Sequence, residues 1–170
     1  MGLSPRERIP RRRKGVKVEV GDWFAVPLDG GGFCIGRAVS VDNAEEELIA
    51  YFFGPRRRAI PDVSELGELL PADAVSAHWV SMYGLTRFDW HNLGKGAVTN
   101  VPVWPMPIFW GIDFMSLQPR LEIPQYGGPV DSRSYVKVPC DIDDTNGKPL
   151  AGLVSHWGVV EVLSKLLPWT

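Results

Sequence analysis

Hydrophobic and polar residues along the chain fall into short runs divided by glycine and proline, and the first clear element lies at Gly21–Gly36, GDWFAVPLDGGGFCIG. Trp23, Phe24, Val26 and Leu28 are the aromatic and apolar side chains that suit a half-buried pleated strand. Pro27 has no N–H for a ladder, which places that point of the strand at an edge or a bulge. Asp29-Gly30-Gly31-Gly32 then supplies positions where φ can be positive at no steric cost, as a tight reversal requires. Phe33-Cys34-Ile35 starts the return strand, and Gly36 within it marks a bulge or a close backbone approach. The pattern predicts a β-hairpin. Arg37–Val41 continues the return and Asp42-Asn43 marks a turn. Leu48–Phe53, an unbroken apolar run ended by Gly54-Pro55, predicts a third, largely buried strand.

Further on the periods are mixed. Asp62–Leu70 predicts a helix, with Ser64 as cap, Gly67 limiting its length and Pro71 ending it. Val75–Tyr83 predicts another strand, and Gly84–Leu93 fits neither period. In Val101–Ile112, VPVWPMPIFWGI, three prolines forbid helix and most ladder bonding. That leaves an extended chain whose Val103, Trp104, Met106, Ile108, Phe109 and Trp110 pack along a groove of the body. Residues 118–134 read as loop, Tyr135–Cys140 as a short strand, and Asp141–Gly147 as an acidic loop. The end, Trp157–Leu167, predicts a strand over Val159–Leu163 that turns into a short helix. Taken together these elements predict an α+β domain. It is mostly antiparallel sheet, strongly curled with an SH3-like start, and carries one or two short helices.

The opening hairpin also carries a resemblance. Gly21, Trp23, Phe24, Pro27, Leu28, Gly32, Phe33 and Gly36 stand where the bacterial immunity protein 26 family has a glycine, an aromatic pair, Pro-Leu, a glycine turn and an aromatic strand. Trp104-Pro105-Met106-Pro107 with Phe109 is similar to that family's proline-broken aromatic segment. Glu161 occupies the acidic position of its closing apolar run, so the resemblance spans roughly residues 20–168. It implies a cytoplasmic antitoxin that binds and blocks a cognate secreted toxin encoded nearby. The hairpin physics alone implies no function.

Charge sharpens the picture of partners. Residues 1–17 hold seven basic groups against Glu7, whereas residues 18–170 hold eleven basic and nineteen acidic groups, a net charge of −8. Residues 1–16, dense in like charge and poor in apolar side chains, read as a flexible basic arm before a single domain over residues 17–170. An acidic body lacks the basic face of a nucleic-acid-binding domain, but it speeds encounter with a basic protein. The candidate partner-binding residues are Glu45, Glu46 and Glu47 beside the third strand, and Asp141, Asp143 and Asp144 in the late loop. No apolar run approaches the ~20 residues of a membrane span. Two cysteines, Cys34 and Cys140, in strand-like contexts read as buried thiols of a cytoplasmic protein rather than a disulfide pair.

Candidate chemistry changes little. Asp141-x-Asp143-x-Thr145 begins like a calcium loop, but its sixth and twelfth positions are Asn146 and Gly152, not Gly and Glu. His78, His91 and His156 share no metal-ligand spacing, and no nucleophile elbow, phosphate loop or dinucleotide fingerprint occurs. The arginine triplet Arg56-Arg57-Arg58 reads as a solvated loop patch. No catalytic, cofactor-binding or metal residue is expected. The alternatives to a toxin-binding protein are an SH3-like module for nucleic acid or peptide, which needs a basic or aromatic groove, and a hydrolase, which needs convergent titratable groups.

Overall fold

The hairpin forms because an aromatic strand meets a turn made of glycine. The structure, a computed structural model, describes residues 11, 13–67, 69–96, 104–125 and 135–169. β1 (Trp23–Pro27) and β2 (Phe33–Asp42) pair antiparallel, with Trp23 opposite Arg37 and Pro27 opposite Phe33. Gly30, Gly31 and Gly32 hold φ of +77°, +91° and +76°, which glycine adopts without strain. The Leu28 amide donates to the Gly32 carbonyl at 2.9 Å and closes the turn. Gly36 is a close approach, since a β-carbon there would meet the Phe24 ring at 2.4 Å. β5 (His91–Gly94) pairs with β1 only as far as Ala25, so Pro27 sits where β1 has no second neighbour.

β3 (Glu47–Arg57) lies between β2 and β4 (Ala74–Ser81), and a two-residue parallel strand, β9 (Leu153–Val154), follows β4. The sheet order is β5-β1-β2-β3-β4-β9. Along β3, Leu48, Ala50 and Phe52 join Phe24, Val26 and Val80 on one face, while Ile49, Tyr51 and Phe53 serve the other. Both faces are covered, and so the apolar run shows no alternation.

The first face is covered by α2 (His156–Leu166), whose N-terminus is capped by Ser155 Oγ accepting the Gly158 N–H at 3.1 Å. Val159, Val160 and Leu163, with Leu167 just beyond the end, bury one stripe of it against the sheet. The strand expected over Val159–Leu163 is therefore helix. Its β-branched preference is a weak local bias, and burial of an apolar stripe at helical spacing overrides it.

The second face is covered by Trp104 and by a separate antiparallel sheet of β6 (Phe109–Ile112), β7 (Pro119–Pro124) and β8 (Tyr135–Pro139). Phe109 and Tyr135 project from it onto Ile49. The expectation of extended chain throughout Val101–Ile112 fails at Phe109, where the prolines stop and ladder bonding resumes; residues 101–103 lie outside the described residues. Part of the expected loop 118–134 is strand as well, with Pro119 and Pro124 at its ends where a missing N–H costs least; residues 126–134 lie outside the described residues.

Two further expectations are corrected. The main sheet runs open from β5 to β9 beside a second sheet, so the fold is α+β without the strongly curled, SH3-like sheet. Covers on both faces make that sheet a middle layer. The helix expected over Asp62–Leu70 is a single 3₁₀ turn, Val63–Leu66. Its cap is Asp62, which accepts the Ser64 N–H at 2.8 Å and the Ser64 hydroxyl at 2.6 Å, so Ser64 is a donor there. The ambiguous stretch after β4 holds both kinds of element, a one-turn helix α1 (Tyr83–Thr86) and β5.

Of the expected arm, residues 1–10 and Arg12 lie outside the described residues. Arg13 is held: its amide donates to the Thr86 carbonyl at 2.7 Å, and its guanidinium to the carbonyls of Leu85 at 2.6 Å and Trp90 at 3.1 Å. Val16 packs on the core nearby. Removing residues 1–10 is expected to change stability by less than about 0.5 kcal/mol. Removing residues 1–16 is expected to cost about 1–3 kcal/mol, through the lost charged hydrogen bonds and Val16 contact. Urea unfolding of the two truncations checks the difference.

Candidate interaction surface

The proline-broken segment owes its position to one side chain. Trp104, 8 % exposed, meets Trp23 edge-on at 5.8 Å and both Tyr51 and Phe53 at 5.7 Å between ring centroids. The buried Arg37 guanidinium lies 4.1 Å from the Trp104 centroid and 4.9 Å from that of Trp23. Burial lowers the Arg37 pKa. The Tyr51 hydroxyl donates to the Pro105 carbonyl at 3.1 Å, and Pro107 is buried. Arg37 was not singled out from the sequence. Its signal is an arginine set between the apolar Phe33–Ile35 and Ala38–Val39 of the strand.

At Met106–Ile108 the segment walls a cleft of about 600 Å³. Its floor is the first part of β4, from Ala74 to His78, which has β3 on one side and, among the described residues, no strand on the other. Met106 and Ile108 stand on one side, Val162 and Leu166 of α2 on another, and Gly147-Lys148-Pro149 close it. An open strand edge between apolar walls suits an extended chain, whose backbone can add to the sheet.

The candidate acidic residues divide by environment. Glu45 is exposed. Glu46 is half-buried and ion-paired with Arg87, and it also accepts the Thr86 hydroxyl at 3.2 Å. Glu47 accepts the Trp79 indole N–H at 2.9 Å. Those two carboxylates therefore hold β3 to its neighbours. Asp141, Asp143 and Asp144 are all exposed on a 3₁₀ turn, Ile142–Thr145, where the Asp144 carboxylate accepts the Asp141 N–H at 3.1 Å. That turn packs beside β7 and leads directly into the Gly147–Pro149 wall of the cleft.

The arginine triplet is not simply a solvated patch. The Arg56 guanidinium donates to the carbonyls of Asp29 at 3.0 Å, Gly31 at 3.2 Å and Ser164 at 3.2 Å, and it lies 5.1 Å from the Trp169 ring centroid. It ties the hairpin turn to the last turn of α2, whose carbonyls welcome a cation. Glu161 is exposed on α2 and pairs with Lys165 at 2.7 Å.

The remaining titratable groups are scattered. His78 Nε2 lies 3.0 Å from Ser76 Oγ, and burial lowers its pKa. His156 stacks on Phe88 at 4.2 Å; burial lowers its pKa too, with Asp89 opposing. Cys34 is buried, which pushes its thiol up to about 12. Cys140 is only half-buried just past β8, against the expectation of a buried thiol, and is raised by partial burial with Asp144 and Asp141 nearby. Among the described residues no group of three or more His, Cys, Asp or Glu is placed to hold a metal ion, and no helix is long and apolar enough to cross a membrane.

A family model described as Immunity protein 26 matches residues 19–119, which take in β1 through β6, the hairpin glycines and Trp104-Pro105-Met106-Pro107. The chain belongs to the immunity protein 26 family. The match ends at Pro119, so Glu161 lies beyond it. No curated protein and no solved structure matches the chain.

Two outcomes are expected from this geometry. Trp104→Ala removes the ring that Trp23, Tyr51, Phe53 and Arg37 surround, and is expected to cost about 3–5 kcal/mol in urea unfolding. His78 binds its proton more weakly folded than unfolded, since burial lowers its pKa from the ordinary 6.5. Its contribution is thus neutral above that value, and stability falls as pH drops below it. The midpoint of thermal unfolding is expected to decline between about pH 7.5 and 5.5, less steeply in His78→Gln than in the parent.

Proposed function

We propose that this protein is an immunity protein that binds and neutralises a cognate secreted bacterial toxin by stoichiometric occlusion, in the cytoplasm of the producing cell. Membership of the immunity protein 26 family carries the reading. The exposed Asp141–Asp144 turn and the net −8 of residues 18–170 support it, because such a surface speeds capture of a basic partner. An interface of roughly 1,600 Å² is enough to cover an active site and hold it shut. No reaction by the immunity protein is required.

The test is titration of the toxin domain encoded by the neighbouring gene. Inhibition is expected to saturate near one equivalent of protein. Complete inactivation at a small fraction of an equivalent would mean turnover and would remove the occlusion reading. A second reading, a peptide-binding module, is favoured by the open edge of β4 on the floor of the cleft. It predicts that short extended peptides from the toxin bind as well as the folded domain. Occlusion predicts that only the folded domain does.

A further inference from the structure

The three-stranded sheet has two unlike faces. Directly opposed residues of antiparallel strands share a face, and the register places Trp110, Leu121 and Val138 in one row and Ile123 with Val136 in the next. Ile112 extends the same face toward the hairpin turn. The inner face, with Phe109 and Tyr135, is buried on the main sheet. The outer one leaves Ile112, Ile123, Val136 and Val138 between 37 % and 41 % exposed.

At the end of that face the β6–β7 connection raises three more apolar side chains into solvent. Phe114 is 88 % exposed, Met115 95 % and Leu117 73 %. The turn is built, because the Asp113 carboxylate accepts the amides of Met115 and Ser116 at 3.0 Å each and pairs with Arg120 at 3.1 Å. The Leu117 amide donates back to the Asp113 carbonyl at 2.7 Å. Leu117 itself holds φ +57°, a region that residues other than glycine seldom enter. Contiguous exposed apolar surface of this kind marks an interaction site rather than ordinary surface.

Charge says what it meets. The Cys140 amide donates to the Pro119 carbonyl at 3.1 Å, which brings the Asp141–Asp144 turn to the same end of the sheet as Phe114–Leu117. Arg120 is engaged by Asp113 and Glu122, and the Lys148 ammonium by the Asp144 carbonyl. Lys137 is exposed and lines a small cleft with Asp113, Ser116 and Arg120 beside the turn. Among the described residues the exposed Asp141, Asp143 and Asp144 outnumber Lys137 and Lys148, so the rim nearest the turn is net acidic.

We propose that this outer face, with Phe114 and Met115 as anchors, is the surface on which the chain holds its toxin, and that it takes an apolar pocket rimmed by lysine and arginine on the folded toxin domain. The proposal rests on the immunity reading above. The anchors Phe114 and Met115 lie within the residues matched to the family model, whereas Leu121, Ile123, Val136 and Val138 of the same face lie beyond them. An exposed aromatic side chain that fills a partner's pocket beside charged neighbours is the kind of residue that carries a large share of an interface's affinity.

The experiment measures binding of the neighbouring gene's toxin domain to the parent protein and to Phe114→Ser, Met115→Ser and Asp143→Lys variants. All three positions are exposed, so unchanged thermal unfolding is expected and confirms the fold. Phe114→Ser and Met115→Ser are each expected to weaken binding about 30-fold or more, chiefly through faster dissociation. Asp143→Lys is expected to slow association about threefold to tenfold at low salt and to reduce its salt dependence. If both anchor variants bind like the parent while the parent still inhibits, this surface is the wrong one and the immunity reading stands. If the parent itself neither binds nor inhibits, the immunity reading fails and the proposal with it. If light scattering shows the parent as a dimer that Phe114→Ser dissolves, the face is a self-interface and the proposal is overturned.

Discussion

β3 presents apolar side chains on both faces, and that constraint organises everything else. Leu48, Ala50 and Phe52 need one cover, Ile49, Tyr51 and Phe53 another, and neither can come from the sheet itself. The chain supplies α2 for the first and Trp104 with the second sheet for the second. A curled sheet closing on its own interior would have covered only one face. The three-layer arrangement follows from the burial of Leu48, Ile49, Ala50, Phe52 and Phe53, with Tyr51 half-buried among them; each Leu, Ile or Phe is worth roughly 1.5–3 kcal/mol when removed from water.

How much of this can be read from the residues depends on whether local rules or distant partners decide. The hairpin is legible because its rules are local: aromatic strand, proline where pairing ends, glycines at positive φ. The buried third strand is legible for the same reason. Helix α2 was half legible, since Val159 and Val160 prefer strand and only the sheet beneath them selects helix. The second sheet was hidden by its prolines, which forbid internal ladder positions but are tolerated at strand ends such as Pro119 and Pro124.

The candidate surface was legible as charge and not as shape. The acidic residues at 45–47 and 141–144 stand out in the sequence, yet nothing local says that Glu46 and Glu47 are held by Arg87 and Trp79 while the aspartates stay exposed. Arg56 shows the same limit. Among three neighbouring arginines, only the fold reveals which one grips the carbonyls of a turn 27 residues away in sequence. The exposed Phe114, Met115 and Leu117 sit in a stretch whose composition suggests ordinary packing, and only their placement on a turn shows that they stand clear of the described residues.

The clasp formed by Arg56, Ser164 and Trp169 around the hairpin turn has a consequence for the order of events at the ribosome. The Asp29 amide donates to Ser164 Oγ across 135 residues of sequence, so the first hairpin finds these contacts only after α2 has been made. Until α2 emerges, the face carrying Phe24, Phe52 and Val80 has only part of its cover, from Trp90, Leu85 and Met82. At a synthesis rate of about 5–20 residues per second, that interval lasts roughly ten seconds. Such partly bare apolar surface is prone to aggregate, and the segment Ser155–Trp169 acts as the latch that ends the exposure.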